Sequence, residues 1–289
     1  MIGRGLAHLG ALWALAGCSP AGLLNGVDRV TPGDRGARLA VRGAPYGSEP
    51  RQALDVWVPR KRHAGRLPVV VFFYGGAWVA GSRAEYGFAG RAYAGQGFVA
   101  VVPDYRLVPQ VRYPAFVQDG AQAIRWVRDN VARYGGDPAR ITLAGYSAGA
   151  YNAAMLALDG RFLREAGVDP RIVCAAALLA GPYDFYPFDD KRAVDAFGAW
   201  PRPQETQPIA QVRADAPPLW LAYGSADTVV RPRNSIALAE RLRAAGAPVV
   251  LREYPGRSHV DLVMALSRPF RGKGPVLADS SAFLLAHAR

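Results

Sequence analysis

The pentapeptide Gly145-Tyr146-Ser147-Ala148-Gly149 constrains this chain more than any other feature. It is a G-x-S-x-G turn between two contrasting runs. Arg140-Ile141-Thr142-Leu143-Ala144 before it is short, apolar and β-branched, which predicts a buried strand. Residues 150–158 after it are mostly Ala, Met and Leu, which predicts a helix. A chain that passes from strand to helix so abruptly needs strained backbone angles and a close helix-on-strand approach. The flanking glycines permit both. The turn lifts the Ser147 hydroxyl off the sheet edge toward the positive end of the helix, which suits a nucleophile.

A serine hydroxyl attacks at neutral pH only when a base takes its proton and a carboxylate orients that base. With a serine on this kind of turn, the partners follow along the chain as Asp or Glu, then His. The chain has four histidines. His8 lies in an N-terminal apolar segment, His63 in the basic loop Arg60-Lys61-Arg62-His63, and His287 close to the C-terminus, where chains fray. His259 remains, in a loop after the strand-like residues 248–254, at the carboxyl end of the last strand. The preceding strand, Leu219-Trp220-Leu221-Ala222-Tyr223, runs into a loop that holds Asp227, the candidate acid. Asp215 precedes that strand, Asp261 is too close to His259 in sequence, and Glu253 lies within a strand. The reaction also needs backbone N–H groups aimed at a developing oxyanion. One is expected from Ala148, directly after the serine. The others are expected from Tyr74-Gly75-Gly76-Ala77-Trp78, which follows the apolar strand Pro68-Val69-Val70-Val71-Phe72-Phe73.

With these residues in place, the chain resembles α/β-hydrolases of the hormone-sensitive-lipase and ferulic-acid-esterase-like (BD-FAE-like) group, which includes arylformamidases and isoprenylcysteine methylesterases. The resemblance rests on Tyr74-Gly75-Gly76-Ala77-Trp78 for an H-G-G-x-W motif and on Asp104-Tyr105-Arg106-Leu107-Val108-Pro109, followed by Tyr113-Pro114-Ala115 and Asp119. It rests also on Gly135-Gly136-Asp137-Pro138 before the serine strand, and it runs from about Leu54 to His259. It implies Ser147, Asp227 and His259 as catalytic residues and Gly76, Ala77 and Ala148 as oxyanion donors, with Gly75 a further candidate. It implies that Asp104 and Arg106 hold the loop by polar contacts. Tyr74 stands where the family carries histidine, so a working oxyanion loop of altered geometry is expected.

At 289 residues one domain is expected. Alternating strand and helix patterns from Leu54 onward predict an α/β fold: a mostly parallel sheet, eight-stranded by the resemblance, with helices on both faces. Residues 18–50, rich in Gly, Pro and Arg, are expected to be a tether with edge strands, and residues 51–289 the hydrolase domain. A small cap insertion at about residues 182–217 is rich in aromatic residues, among them Phe185, Phe197 and Trp200. Trp78 and Tyr146, beside the serine, are the expected walls of a substrate pocket.

Residues 1–17 have signal-peptide form, with Arg4 ahead of an apolar core at residues 6–15 too short to span a bilayer. Leu15-Ala16-Gly17-Cys18-Ser19 resembles a bacterial lipoprotein cleavage box. That resemblance implies lipidation of Cys18, a membrane anchor through it, and a place in the cell envelope on the periplasmic face of the outer membrane. Cys174, the other of two cysteines, has no disulfide partner and is expected as a small buried hydrophobe in a central strand. The net charge of +12 is carried by dispersed arginines, which gives no clustered basic element for nucleic acid. The expected reaction is hydrolysis of small or medium acyl or aryl esters through an acyl-enzyme, with no cofactor and no metal. The competing readings are the same machinery acting on amides, as in arylformamidases or small peptidases; a polymer-surface esterase; and a non-catalytic binding protein on this fold.

Overall fold

Strands buried on both faces read as unbroken apolar runs, and such runs form the centre of the sheet here. The computed structural model describes residues 19–32, 36–61 and 63–289. Its eight strands are β1 (Ala37–Pro45), β2 (Ala53–Pro59), β3 (Leu67–Phe73), β4 (Val99–Pro103), β5 (Gly136–Tyr146), β6 (Val173–Leu179), β7 (Leu219–Gly224) and β8 (Val249–Tyr254). They lie in the order β1-β2-β4-β3-β5-β6-β7-β8. β1 and β2 are antiparallel to each other, and β2 to β4; every other pairing is parallel. Helices α2 (Gly87–Gly95) and α9 (Val276–His287) pack on one face. The other carries α3 (Ala115–Asn130), α4 (Ala148–Leu158), α5 (Gly160–Glu165) and α7 (Arg233–Ala244). The expected α/β arrangement is present. The glycine-aspartate-proline stretch before the serine strand is part of β5 itself.

The turn from β5 into α4 is the tightest point of the fold. Ser147 has φ 54° and ψ −123°, a conformation L-residues seldom adopt. Its amide donates to the Leu179 carbonyl at 2.9 Å, which ties the turn to the end of β6. A Cβ on Gly149 would lie 2.1 Å from the Phe73 carbonyl oxygen, and one on Gly145 2.4 Å from that of Gly149. α4 is buried along its whole length.

Two buried carboxylates hold the loops at the carboxyl edge. Tyr74 donates its hydroxyl to Asp104 at 2.8 Å and accepts from Arg51 at 2.9 Å. Arg51 also donates to the carbonyls of Tyr105 and Gly81, at 2.8 and 2.7 Å. Arg83 pairs with Asp104 and, at 3.1 Å, with Asp55. The Tyr74 ring is stacked between those of Tyr105 and Tyr86, with centroids 4.8 and 5.3 Å away. Burial, then the Asp104 charge, pushes the Tyr74 hydroxyl well above its ordinary pKa, so it stays a donor. Asp119 takes the Arg106 guanidinium at 2.8 Å, the Arg106 amide at 2.8 Å and the Gln52 side chain at 2.7 Å. Tyrosine thus does bracing work at the position where the family motif has histidine.

Two expectations need correction. Within the segment 18–50 the expected edge strand is present as β1, but residues 20–30 are not a tether. Pro20–Val30 forms a helix, α1, capped by Ser19 and docked on α2. Arg91 on α2 reaches Asp28 and Asn25, each at 2.7 Å. The Gly-, Pro- and Arg-rich composition suggested a loose chain, but these polar groups find distant partners that local sequence does not show. Cys174 lies on β6, an interior strand as expected, but near the strand's start it is half-buried beside the carbonyls of Ala139 and Arg289 rather than buried. Residues 1–17 and Cys18, with their expected leader and lipidation, lie outside the described residues. Residues 182–217 do form a small insertion, with helix α6 (Lys191–Phe197) and 3₁₀ turns at Pro203–Thr206 and Pro208–Gln211.

Two substitutions separate turn geometry from loop bracing. Gly149→Ala forces the backbone of β3 and α4 apart and is expected to cost about 3 kcal/mol or more in urea unfolding, beyond an ordinary surface change. Tyr74→Phe keeps the stacked ring and removes both hydrogen bonds, for an expected loss of about 1–2 kcal/mol by the same measurement.

Candidate active site

Ser147, Asp227 and His259 reach one point from separate segments of the chain. Ser147 stands on the turn before α4. Asp227 lies just past β7, buried, its amide bonded back to Gly224 at 3.1 Å. His259 is not in an open loop; it opens the short helix α8 (His259–Met264). Ser258 and Asp261 form a reciprocal cap at the start of that helix, which fixes where the imidazole leaves the backbone. Burial raises the Asp261 pKa, but Lys273 and the bonds from Ser258 outweigh it and hold it down to about 2. Asp261 is therefore committed to the cap.

The three side chains form a relay. His259 Nδ1 lies 2.8 Å from Asp227 Oδ2, and Nε2 lies 3.0 Å from Ser147 Oγ. Asp227 Oδ1 accepts the amides of Val229 and Val230, each at 2.9 Å, which leaves Oδ2 for the imidazole. A carboxylate only accepts, so the neutral ring carries its proton on Nδ1 and turns the Nε2 lone pair to the serine hydroxyl. The Tyr146 ring lies against His259, centroids 5.0 Å apart at 37°. Among the described residues the other two histidines are elsewhere: His63 is exposed, and His287 bonds the Phe283 carbonyl at 2.8 Å at the end of α9. Asp215 is exposed and paired with Arg213, and Glu253 accepts from the Tyr223 hydroxyl at 2.9 Å.

A cavity of about 330 Å³ opens in front of Ser147. Ala77, Trp78, Ala148, Phe185 and Val229 are among its lining residues. Two of its lining residues, Ala77 and Ala148, carry candidate oxyanion amides. The Gly76 carbonyl turns away to accept Val79 and Ala80, each at 3.0 Å. In a trans peptide the N–H of Ala77 then points the opposite way. The Ser147 carbonyl accepts Tyr151 at 3.1 Å, so the Ala148 N–H likewise points out of the helix end. Gly75 and Gly76 do not line the cavity. Gly75 instead packs tightly, a Cβ there meeting Tyr146 at 2.8 Å and Ser147 at 3.1 Å.

Of the two expected pocket walls, Trp78 lines the cavity and Tyr146 does not. Trp78 donates to Asn152 at 3.2 Å and meets Phe197 edge-on at 4.7 Å. Among the cap aromatics, Phe185 faces the cavity, Phe197 is fully buried, and Trp200 packs on Tyr113 at 5.0 Å. Sequence reasoning missed the mouth: Arg192, Arg231 and Arg233, with Thr228, Val229 and Val230. The last three were findable, since they follow Asp227 in a loop that must stand beside the serine. The arginines carried no local signal.

The BD-FAE family model matches residues 54–242. Esterase LipC of Mycobacterium tuberculosis is 35% identical over 74% of this chain and 58% of its own length. Isoprenylcysteine alpha-carbonyl methylesterase ICME of Arabidopsis thaliana is 31% identical over 82% of this chain and 60% of its own. Carboxylesterase NlhH of Mycobacterium tuberculosis is 34% identical over 74% of this chain and 72% of its own. The chain thus spans about three-fifths of the length of LipC and ICME. Among solved structures, the butyrate-bound esterase Est2 of Thermogutta terrifontis superposes with a TM-score of 0.70 at 27% identity, covering 88% of this chain and 95% of that one. A truncated carbohydrate esterase from gut microbiota shares the fold, with a TM-score of 0.76 at 21% identity over 89% of this chain and 99% of that one. Sheet order, serine turn and family match converge: the chain has the α/β-hydrolase fold and belongs to the BD-FAE family.

Proposed function

We propose that the protein is a serine carboxylesterase acting on small or medium acyl or aryl esters. The observation that carries this reading is the relay from Ser147 through His259 to Asp227, with Nε2 at 3.0 Å from the hydroxyl and Nδ1 at 2.8 Å from the carboxylate. Ser147 Oγ attacks the ester carbonyl carbon as His259 Nε2 takes its proton. The carbonyl oxygen becomes an oxyanion between the Ala148 and Ala77 amides. Collapse breaks the bond to the alcohol oxygen, which receives the proton from Nε2, and leaves Ser147 acylated. Water, deprotonated by the same nitrogen, attacks the acyl carbon; the bond to Ser147 Oγ breaks, Nε2 returns its proton to Oγ, and the acid is freed. Asp227 holds the imidazole orientation and stabilises its charged form throughout.

A cavity of about 330 Å³ is at the small end for ligand sites and favours compact substrates over long triglycerides. Supporting names come from the relatives, which include esterases, a carboxylesterase and methylesterases. The same relay would cleave an amide, and leaving-group preference separates the two. A non-catalytic binding role needs no assembled relay, and the observed hydrogen bonds weigh against it.

p-Nitrophenyl acetate, butyrate, octanoate and laurate test the reading. Turnover is expected to peak at a short chain. Ser147→Ala is expected to lower kcat by about 10⁴-fold or more, and Asp227→Asn by about 10⁴-fold. Equal rates in wild type and Ser147→Ala would sink it. Lipidation of Cys18, with residence in the bacterial envelope, belongs to the same proposal. Cells fed labelled palmitate should incorporate it into wild type and not into Cys18→Ala, and absence of label in wild type rejects the anchor.

A further inference from the structure

Helix α1 is packed with its polar residues inward. Asn25 and Asp28 are buried against Arg91, while Leu23, Val27 and Val30 stand 39%, 48% and 81% exposed. At one turn per 3.6 residues these apolar side chains fall within an arc of about 60°. Gly26 lies beside them on the same outer face, with open space where its Cβ would be. The outer face of α1 is therefore an apolar stripe without a covering element among the described residues.

The stripe borders a basic hollow of about 880 Å³. Val30, Arg29, Arg38, Arg42, Arg60, Arg91 and Arg268 line it, with no carboxylate among the described residues that do so. Arg29, Arg38, Arg42 and Arg60 are exposed. Asp28 on α1 and Asp55 on β2 are already held by Arg91 and Arg83. Apolar groups beside several guanidinium groups match the boundary of an anionic bilayer. The side chains enter the headgroup region and the arginines meet lipid phosphates. A second copy of the chain would bring the same positive charge against itself, which disfavours self-association here.

We propose that the outer face of α1, with Arg29, Arg38, Arg42 and Arg60, is a docking surface for an anionic lipid bilayer. It lies outside the candidate active site and is independent of the ester chemistry. Ser19 caps α1, and its hydroxyl pairs with Glu85 in the segment that follows the oxyanion loop. A bilayer seated on α1 would thus lie on the flank next to that loop.

The test is cosedimentation of the purified full chain with phosphatidylglycerol-containing vesicles and with pure phosphatidylcholine vesicles. The apolar leader and any acyl group on Cys18 add to both, and Arg4 adds equally to wild type and variants, so the readout is the difference between vesicle types compared across the variants. Tighter binding to the anionic vesicles, falling as salt is raised, is expected. The combined variant Arg38→Glu, Arg42→Glu, Arg60→Glu should lose that preference by on the order of a hundredfold. Leu23→Gln, Val27→Gln, Val30→Gln, a helix-compatible set, should weaken anionic binding several-fold with unchanged hydrolysis of soluble esters. Equal binding to both vesicle types overturns the proposal, as does an anionic preference that survives both variants. A dimer in sedimentation velocity that the Gln variants dissociate would assign the face to a second copy and overturn it too.

Discussion

The passage of α4 across the end of β3 is the contact on which the rest of the site depends. At Gly149 the helix backbone lies so close to Phe73 and Tyr74 that a single Cβ would sit 2.1 Å from one carbonyl oxygen and 2.4 Å from the other. This closeness has two effects. It throws Ser147 into its strained positive-φ turn, clear of the sheet. It also brings the loop after β3, with Ala77 and Trp78, to the cavity in front of the serine hydroxyl. Ser147 and the loop after β3 come from residues more than a helix and a strand apart in sequence, and a glycine-sized gap is what joins them.

Strain of this kind persists only where the surroundings over-determine it. The surroundings here are of two kinds. Below the turn, the parallel strands β3, β5 and β6 and the wholly buried α4 supply apolar packing. Above it, where loops cannot bury apolar groups so completely, buried carboxylates do the fixing. Asp104 gathers Tyr74, Arg83 and the Arg83 amide; Asp119 gathers Arg106 and Gln52. Each carboxylate accepts several donors, which is how an ionised group tolerates burial. Asp227 follows the same rule, with two amides on one oxygen and the imidazole on the other. The same chemistry thus serves loop bracing at two carboxylates and imidazole orientation at the third.

The central sheet and the relay were legible in the sequence for a common reason. Both are written as local patterns in a fixed order: an apolar run, then a turn residue that carries chemistry. The serine turn, the Asp227 loop and the elimination that left His259 all follow that form. What stayed hidden depends on partners distant in sequence. Asn25 and Asp28 look like loop residues until Arg91, on another helix, meets them. Tyr146 looks like a pocket wall because it flanks Ser147, yet a strand alternates its side chains between faces, and this one goes to His259. Cys174 looked fully buried because its neighbours are Val and Ala, but it stands near the start of its strand and is half-buried.

The cap shows how far composition misleads about a binding surface. Residues 182–217 are rich in aromatic side chains, and aromatic residues suggest a substrate pocket. Most of these rings pack on one another and on Trp78: Phe197 meets Trp78, Phe116, Tyr151 and Phe185 within 5.6 Å or less between centroids. That cluster is continuous with the main core through Trp78, Phe116 and Tyr151, and it makes the insertion a fixed roof. Phe185 is left to face the cavity, opposite Val229 and Val230 from the acid loop. The loop that positions Asp227 for the imidazole thereby also shapes the cavity beside Ser147. A change in that loop reaches both the orientation of His259 and the room beside Ser147, so chemistry and fit are coupled through Asp227 and the residues that follow it.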